Sequence, residues 1–319
     1  MAEIIGDINL VVKELLKGKP VALPTETVYG LAANALNPDA VLNIYKIKNR
    51  PQFNPLIVHI KDIFDIEKYA IDIPEDVIIL ADKFSPGPLT FVLKKKSIIP
   101  DIVTAGLDTV ALRIPAHKLF LEVLKKIDFP LAAPSANMFG KISPTTASEV
   151  QNEVKGKVKY ILDGGKCNIG IESTVIDLST DKISILRPGF ITKEQIESVI
   201  GREVFYFEQD IQNNISSPGM LKSHYAPASP LYIYYDEPVL EFMKGKNYGF
   251  LDFSGYKNVK EIAVNLFSDL RKLDTENYEF ILAKKVKDTG LGVAINDRLS
   301  RASKGTIIIE NEKIKFVDK

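Results

Sequence analysis

The chain has 319 residues, enough for two cores of ordinary size, and at 45% hydrophobic and 26% charged with 19 Gly and 18 Pro it has the make-up of a folded soluble protein. Lys plus Arg is 41 and Asp plus Glu is 41, so the net charge is zero, which argues against a protein that coats DNA or RNA. One cysteine, Cys167, excludes an internal disulfide framework and a Cys-built zinc site, and three scattered histidines (His59, His117, His224) argue against a His-rich metal cluster.

Ile5, Ile8, Val12, Leu15 and Leu16 recur at helical spacing, with Gly18 as a stop, and 21–23 is a brief strand running into Pro24. Asn37-Pro38-Asp39 is a helix start, combining a capping amide, a first-turn proline and an acid at the positive dipole end. That helix carries Val41, Leu42 and Tyr45 and stops near Arg50-Pro51. A strand is expected over 56–60, and a helix with Val77, Leu80, Ala81 and Phe84 after Pro74. Further strands are expected at 89–93, 110–114, 160–162, 174–178 and 183–186. The alternation predicts an α/β domain with a mixed sheet.

Composition breaks near residue 210. Asn213-Asn214, Ser216-Ser217-Pro218-Gly219 and Ala226-Pro227-Ala228-Ser229-Pro230 read as a linker. Beyond it, apparent strands at 231–235, 248–253, 262–266, 280–283 and 306–309 alternate with helical stretches, the last helix starting near Leu291 with Ile295, Leu299 and Ala302. About 90 residues of this pattern predict a second, smaller α/β domain. The longest apolar runs are too short to span a bilayer, and Glu3 and Asp7 near the start do not fit a signal peptide, so a cytoplasmic location is expected.

Five segments carry chemistry in principle, each with a plainer reading. Pro24-Thr25-Glu26-Thr27-Val28-Tyr29-Gly30 follows a strand and either holds a small polar ligand or is a strand-to-helix turn whose threonines cap amides. Lys46, Lys48 and Arg50 either gather a polyphosphate or offset a helix dipole. In 109–115, Thr109, Ala111 and Arg113 share one strand face while Val110, Leu112 and Ile114 face the core, so Arg113 needs an anionic partner, a ligand or solvent. His59 shares a face with Ile57, opposite Leu56, Val58 and Ile60. Ala132-Ala133-Pro134-Ser135-Ala136-Asn137 lets backbone approach a ligand closely, and Ser143-Pro144 reads as a helix N-cap with proline at its first position. Asp163-Gly164-Gly165, Ile171-Glu172-Ser173-Thr174 and Leu186-Arg187-Pro188-Gly189 each end an apparent strand. There is no P-loop, no GxGxxG opening a helix, no GxSxG elbow and no HExxH.

Taken together these segments resemble the YrdC-like family in its long two-domain form, the L-threonylcarbamoyladenylate synthases. The match runs through PTETVYGL at 24–31, KNRPxxNPLIVH at 48–59, SPGPLT at 85–90, TVALRIPAH at 109–117, PLAAPSAN at 130–137, DGG at 163–165, GIESTVIDL at 170–178 and ILRPG at 185–189. SPGMLKSHYAP at 217–227 resembles the family's interdomain loop, and GLGVAINDRLSRAS at 290–303 its C-terminal domain. Two departures stand out: Ser85 where relatives have an aromatic, and Met138-Phe139-Gly140 in place of a more polar tripeptide.

The resemblance implies a YrdC-like twisted mixed sheet with helices around a concave groove, plus a smaller C-terminal Rossmann-like α/β domain. It places a catalytic domain at 1–204, a linker and active-site lid at 205–229 and the C-terminal domain at 230–319. It implies synthesis of L-threonylcarbamoyl-AMP and pyrophosphate from L-threonine, bicarbonate or CO2, and ATP, the first step of threonylcarbamoyl modification of adenosine in tRNA. Lys48 and Arg50 are the implied catalytic cations. Asn54, Thr109, Ser135, Asn137, Ser143, Arg187 and Tyr225 join them in binding ATP, with Tyr225 as part of the lid. Thr27, His59, Arg113, Ala133 and Ser173 are implied for threonine. Mg2+ is expected to arrive with ATP, with no protein metal site. The implied partner is a downstream threonylcarbamoyl transferase, with weak or no direct tRNA binding and no membrane. Competing readings are an RNA-binding module with a local basic groove, and adenylation of a different substrate as in related domains of hydrogenase-maturation proteins.

Overall fold

The computed structural model describes residues 1–207, 224–235, 237–243, 245–310 and 313–319. They form two compact units, one comprising 1–139 with 143–220 and the other 140–142 with 221–319. Most of the expected linker, 208–223, lies outside the described residues.

The first unit is built on eleven strands: β1 (Glu3–Ile5), β2 (Val21–Leu23), β3 (Gly30–Asn34), β4 (Ile57–His59), β5 (Leu89–Lys94), β6 (Thr109–Arg113), β7 (Leu131–Ala132), β8 (Tyr160–Leu162), β9 (Thr174–Asp177), β10 (Ser184–Arg187) and β11 (Phe205–Tyr206). They lie in the order β1-β8-β2-β3-β7-β4-β6-β5-β9-β10-β11. Pairing is mixed: β4 is parallel to β6, for example, and β5 antiparallel to it. Its helices are α1 (Ile8–Leu16), α2 (Pro38–Lys48), α3 (Ile66–Tyr69), α4 (Glu75–Phe84), α5 (Asp101–Thr104), α6 (Lys118–Lys125), α7 (Ala147–Val154) and α8 (Lys193–Ile200).

Alternation along the strands sorts the side chains into two faces. Leu31, Val58, Leu112, Phe91 and Ile176 share one large core with Val41 and Ile44 of α2, Leu80 of α4, Val150 of α7 and Ile196 of α8. On the other face, α1 and α6 cover Val21, Leu23, Ala32 and Leu131 with Val11, Leu15, Phe120 and Val123. Farther along that second face, Ile57, Val92, Ala111, Val175 and Leu186 form a small apolar cluster drawn from strands alone.

Local chemistry explains the helix boundaries. The Asn37 Oδ1 accepts from the Asp39 and Ala40 amides at 3.0 and 3.1 Å, and Asn49 closes α2 in the left-handed region at φ +52°. Four sequence expectations need correction. Ile5 belongs to β1, not to α1, because Asp7 caps the helix and the strand is recruited by pairing with β8. Residues 24–29 join two antiparallel strands, β2 and β3, not a strand to a helix. Ser143 is no helix cap: α7 begins at Ala147 under a capping box of Thr146 and Glu149.

The fourth correction lies in the second unit, where 262–266 is helical. It has strands β12 (Leu231–Tyr234), β13 (Tyr248–Leu251), β14 (Phe280–Lys284), β15 (Ser303–Glu310) and β16 (Lys313–Asp318), and helices α9 (Val259–Asp274) and α10 (Leu291–Ala302). Ile262 and Ala263 bury with Leu266, Phe267 and Leu270, a helical recurrence that outweighs the local β-propensity. The strand order is β13-β14-β12-β15-β16, with β13, β14, β12 and β15 parallel and β16 antiparallel. A mostly parallel sheet joined by helices is the Rossmann-like arrangement that the resemblance implies.

Candidate active site

The turn 24–29 is held by one hydroxyl. The Thr25 Oγ1 donates to the Val28 carbonyl at 2.6 Å and accepts from the Thr27 and Val28 amides at 3.1 Å each. Thr25 therefore does the capping of the plainer reading. Thr27, whose hydroxyl lies 2.8 Å from that of Thr25, is turned to the sheet, and its Oγ1 accepts from the Arg113 Nη2 at 3.0 Å.

Arg113, at the end of β6, is 4% exposed and already has an anionic partner. Its Nη2 donates to the Glu26 Oε1 at 2.6 Å and its Nε to the Gly87 carbonyl at 3.2 Å. Gly87 owes its identity to crowding, since a Cβ there meets the Phe84 carbonyl oxygen at 2.2 Å. The departure at Ser85 sits at the C-cap of α4, two residues before this carbonyl. His59 is the register partner of Arg113 on β4 and packs against Phe120 at 5.1 Å between ring centroids. Burial and the neighbouring Arg113 charge push its imidazole down to about 3, so His59 is neutral. The Ala133 amide donates to the Ile57 carbonyl, which places the Ala133 backbone beside Ile57, two residues before His59 on β4.

A second cluster surrounds Arg187, at the end of β10. Its Nη2 donates to the Ser173 carbonyl at 2.9 Å and to the Ser173 Oγ at 3.0 Å, and its Nε to the same carbonyl at 3.1 Å. The Thr90 hydroxyl lies 2.8 Å from that of Ser173.

A third cluster lies where α2 ends. The Lys48 Nζ donates to the Ser135 and Asn137 carbonyls, both at 2.5 Å. Burial, then the Arg50 charge, pushes its ammonium well below the usual lysine range. A helix-dipole role alone does not account for an ammonium turned inward to brace a loop. The Ser135 Oγ donates to the Asn137 Oδ1 at 2.5 Å. Arg50 donates to the Asn54 Oδ1 at 2.5 Å and to the Asn54 and Pro55 carbonyls, and its guanidinium lies 5.9 Å from the centre of the Phe139 ring. The second sequence departure thus supplies an aromatic wall for a cation. Ser143 donates to the buried Glu172 Oε1 at 2.6 Å. Thr109, half-buried, opens β6.

The fold therefore brings together Thr27 with Arg113, His59 with Arg113, Ser173 with Arg187, Lys48 with Ser135 and Asn137, and Arg50 with Asn54. It ties Ser143 to Glu172 in place of a helix. Tyr225 belongs to the second unit, where it stacks on Phe267 at 5.3 Å and lies 5.7 Å from the Arg298 guanidinium. Sequence reasoning missed Glu26, Thr90, Glu172 and Phe139. The available signal for the two carboxylates was a lone acid directly beside a hydroxyl inside each motif. Among the described residues, no group of three or more His, Cys, Asp or Glu is placed to hold a metal ion, and no helix is long and apolar enough to cross a membrane.

A mixed sheet with buried cations, hydroxyls and backbone carbonyls clustered at its strand ends, together with a second unit on a mostly parallel sheet, defines a two-unit α/β protein. Comparison with known proteins narrows the class. A family model described as telomere recombination matches residues 13–189, and one described as threonylcarbamoyl-AMP synthase, C-terminal domain, matches 191–304. The chain is 42% identical over 315 residues to the threonylcarbamoyl-AMP synthase of Pyrococcus abyssi, and 42% identical over 318 residues to that of Bacillus subtilis, covering 92% of both partners in each case. It is also similar to the crystal structure of P. abyssi Sua5 complexed with L-threonine, with a TM-score of 0.87 and 42% identity over 93% of this chain and 94% of that one. With both units and nearly the whole length matched, the chain belongs to the two-domain, YrdC-like threonylcarbamoyl-AMP synthase family.

Proposed function

We propose that this chain is a nucleotidyltransferase that makes L-threonylcarbamoyl-AMP and pyrophosphate from L-threonine, bicarbonate or CO2, and ATP. The observation that carries the reading is the pair of buried arginine centres, Arg113 with Thr27 and Arg187 with Ser173, on one sheet in a chain matched over 92% of its length to a threonylcarbamoyl-AMP synthase. The relative crystallised with L-threonine supports an amino-acid subsite in the same fold.

The chemistry follows from charge. The threonine amine adds to CO2 and loses a proton to give a carbamate; a carbamate oxygen then attacks the α-phosphorus of ATP, the α–β phosphoanhydride bond breaks, and pyrophosphate leaves. Both reactants are anions, so positioning and charge neutralisation carry the rate. In this reading Arg113 holds the threonine carboxylate, with Thr27, neutral His59, Ser173 and the Ala133 backbone completing that pocket. Lys48, Arg50 and Arg187 take the phosphates. Lys48 has a third N–H for a phosphate oxygen, and an arriving anion restores the ammonium that burial disfavours. Asn54, Thr109, Ser135, Asn137 and Ser143 contact the nucleotide, and the family resemblance assigns Tyr225 to it as well. Mg2+ carried with ATP would neutralise part of the phosphate charge. The product passes, in the cytoplasm, to a transferase that modifies adenosine in tRNA.

The test is pyrophosphate release from ATP, which should require threonine and bicarbonate together. Release that persists without threonine, or proceeds equally with other amino acids, defeats the assignment. In the same assay Arg113→Ala should raise the threonine KM by about tenfold or more with the ATP KM nearly unchanged, and Arg187→Ala should do the reverse. Equal effects on both substrates would dismiss these two roles.

A further inference from the structure

We propose that Glu26 is a positioning residue for amino-acid recognition: its carboxylate fixes the Arg113 guanidinium so that Nη1 is kept for the substrate carboxylate. The inference rests on the reading of Arg113 above and goes beyond it to a residue that the substrate need not touch.

A guanidinium has five N–H donors in one plane. In Arg113 the Nε–H goes to the Gly87 carbonyl, and Nη2 donates to the Glu26 Oε1 and to the Thr27 Oγ1. Three acceptors on one side of the group determine its plane and its rotation. The pair of N–H groups on Nη1 is left as the donors for a carboxylate. Glu26 is held just as firmly. Its Oε2 accepts the Ala116 amide at 3.1 Å, and its main-chain carbonyl accepts the Ile169 amide at 2.9 Å. Thr25 closes the turn on which it sits. Glu26 and Arg113 are 6% and 4% exposed, so their ion pair is protected from competing water and salt.

Removing the carboxylate leaves a buried arginine with a lost acceptor, free to swing toward other oxygens.

Steady-state kinetics of the full chain test the idea, with thermal melts confirming that each variant is folded. Glu26→Gln, isosteric but neutral, should raise the threonine KM by about tenfold with the ATP KM changed less than about threefold. The Glu26→Gln/Arg113→Ala double variant should be no worse than Arg113→Ala alone, since residues acting as one unit are not additive. Glu26→Asp keeps the charge but is one methylene too short to bridge Arg113 and the Ala116 amide together, and should raise the threonine KM at least about threefold. If Glu26→Gln does not fold, Glu26→Asp carries the same test. Folded variants that bind threonine as the parent does, or single effects that add in the double variant, overturn the proposal. If Arg113→Ala leaves the threonine KM unmoved, the reading of Arg113 itself has failed, which is a different outcome from Glu26 alone proving neutral.

Discussion

At the scale of single residues, His59 and Arg113 show how the fold separates charge from neutrality within one pair of register partners. The His59 imidazole, pushed down to about 3 by burial and by Arg113, stays neutral in the folded chain, whereas in the unfolded chain it takes a proton near its ordinary value of 6.5. Below 6.5 the unfolded state therefore binds the additional proton. The contribution of His59 to stability is complete above pH 6.5 and is lost as pH falls from there toward 3, by about 1.4 kcal/mol per pH unit at the steepest. Urea unfolding between pH 6.5 and 4 should show this slope in the parent chain and a flatter one in His59→Gln. An unchanged slope in the variant would assign the acid sensitivity to other groups.

Elements place these residues more than local propensity does. β9 and β10 are antiparallel neighbours, and the segments at their ends supply Ser173 and Arg187 from opposite directions. Gly189 makes their approach possible: a Cβ on it meets the Thr174 nitrogen at 2.2 Å and the Ser173 carbonyl carbon at 2.5 Å, both backbone atoms that cannot step aside. Gly189→Ala should therefore force the two strand ends apart, costing about 1–3 kcal/mol of stability and raising the ATP KM more than the threonine KM. Denaturant melts and the pyrophosphate assay read the two effects, and a variant with the parent's stability and ATP KM would show that the crowding relaxes harmlessly. The same strand pair shows what was legible beforehand. Alternation in 109–115 put Arg113 opposite the core, as found, and Ser173 and Arg187 were readable as polar ends of strands. Their mutual contact was not, because it depends on a register between segments that no local pattern encodes. Glu26 escaped for a similar reason: its partner lies 87 positions away in sequence. A short window makes 262–266 look like a strand, whereas the recurrence over the full 259–274 is helical.

For the whole molecule, the break near residue 210 separated two α/β patterns, and the structure has two units, each with its own sheet and apolar clusters. Strand order, by contrast, came only from the fold, since no sequence pattern announces that β8 lies between β1 and β2. We expect a chain truncated after residue 207 to keep a cooperative thermal melt, because all eleven strands of the large sheet precede that point. It should release no threonine-dependent pyrophosphate, because Tyr225 is gone. Turnover equal to that of the full chain would remove Tyr225 from the reaction.

The pairing of β1 with β8 also sets a timetable for synthesis. Glu3 pairs with Tyr160, so β1 has no partner on this sheet edge until residue 160 has been made. At about 5–20 residues per second that interval is roughly 10–30 s, much longer than helices and hairpins need to form. During it, Ile4 and Ile5 are an open β-edge on a nascent chain, with only Glu3 and Asp7 beside them to discourage a wrong partner. The sheet is therefore closed at this end only by the eighth of its eleven strands in chain order, and translation speed between residues 3 and 160 becomes a variable in how much of the protein folds correctly.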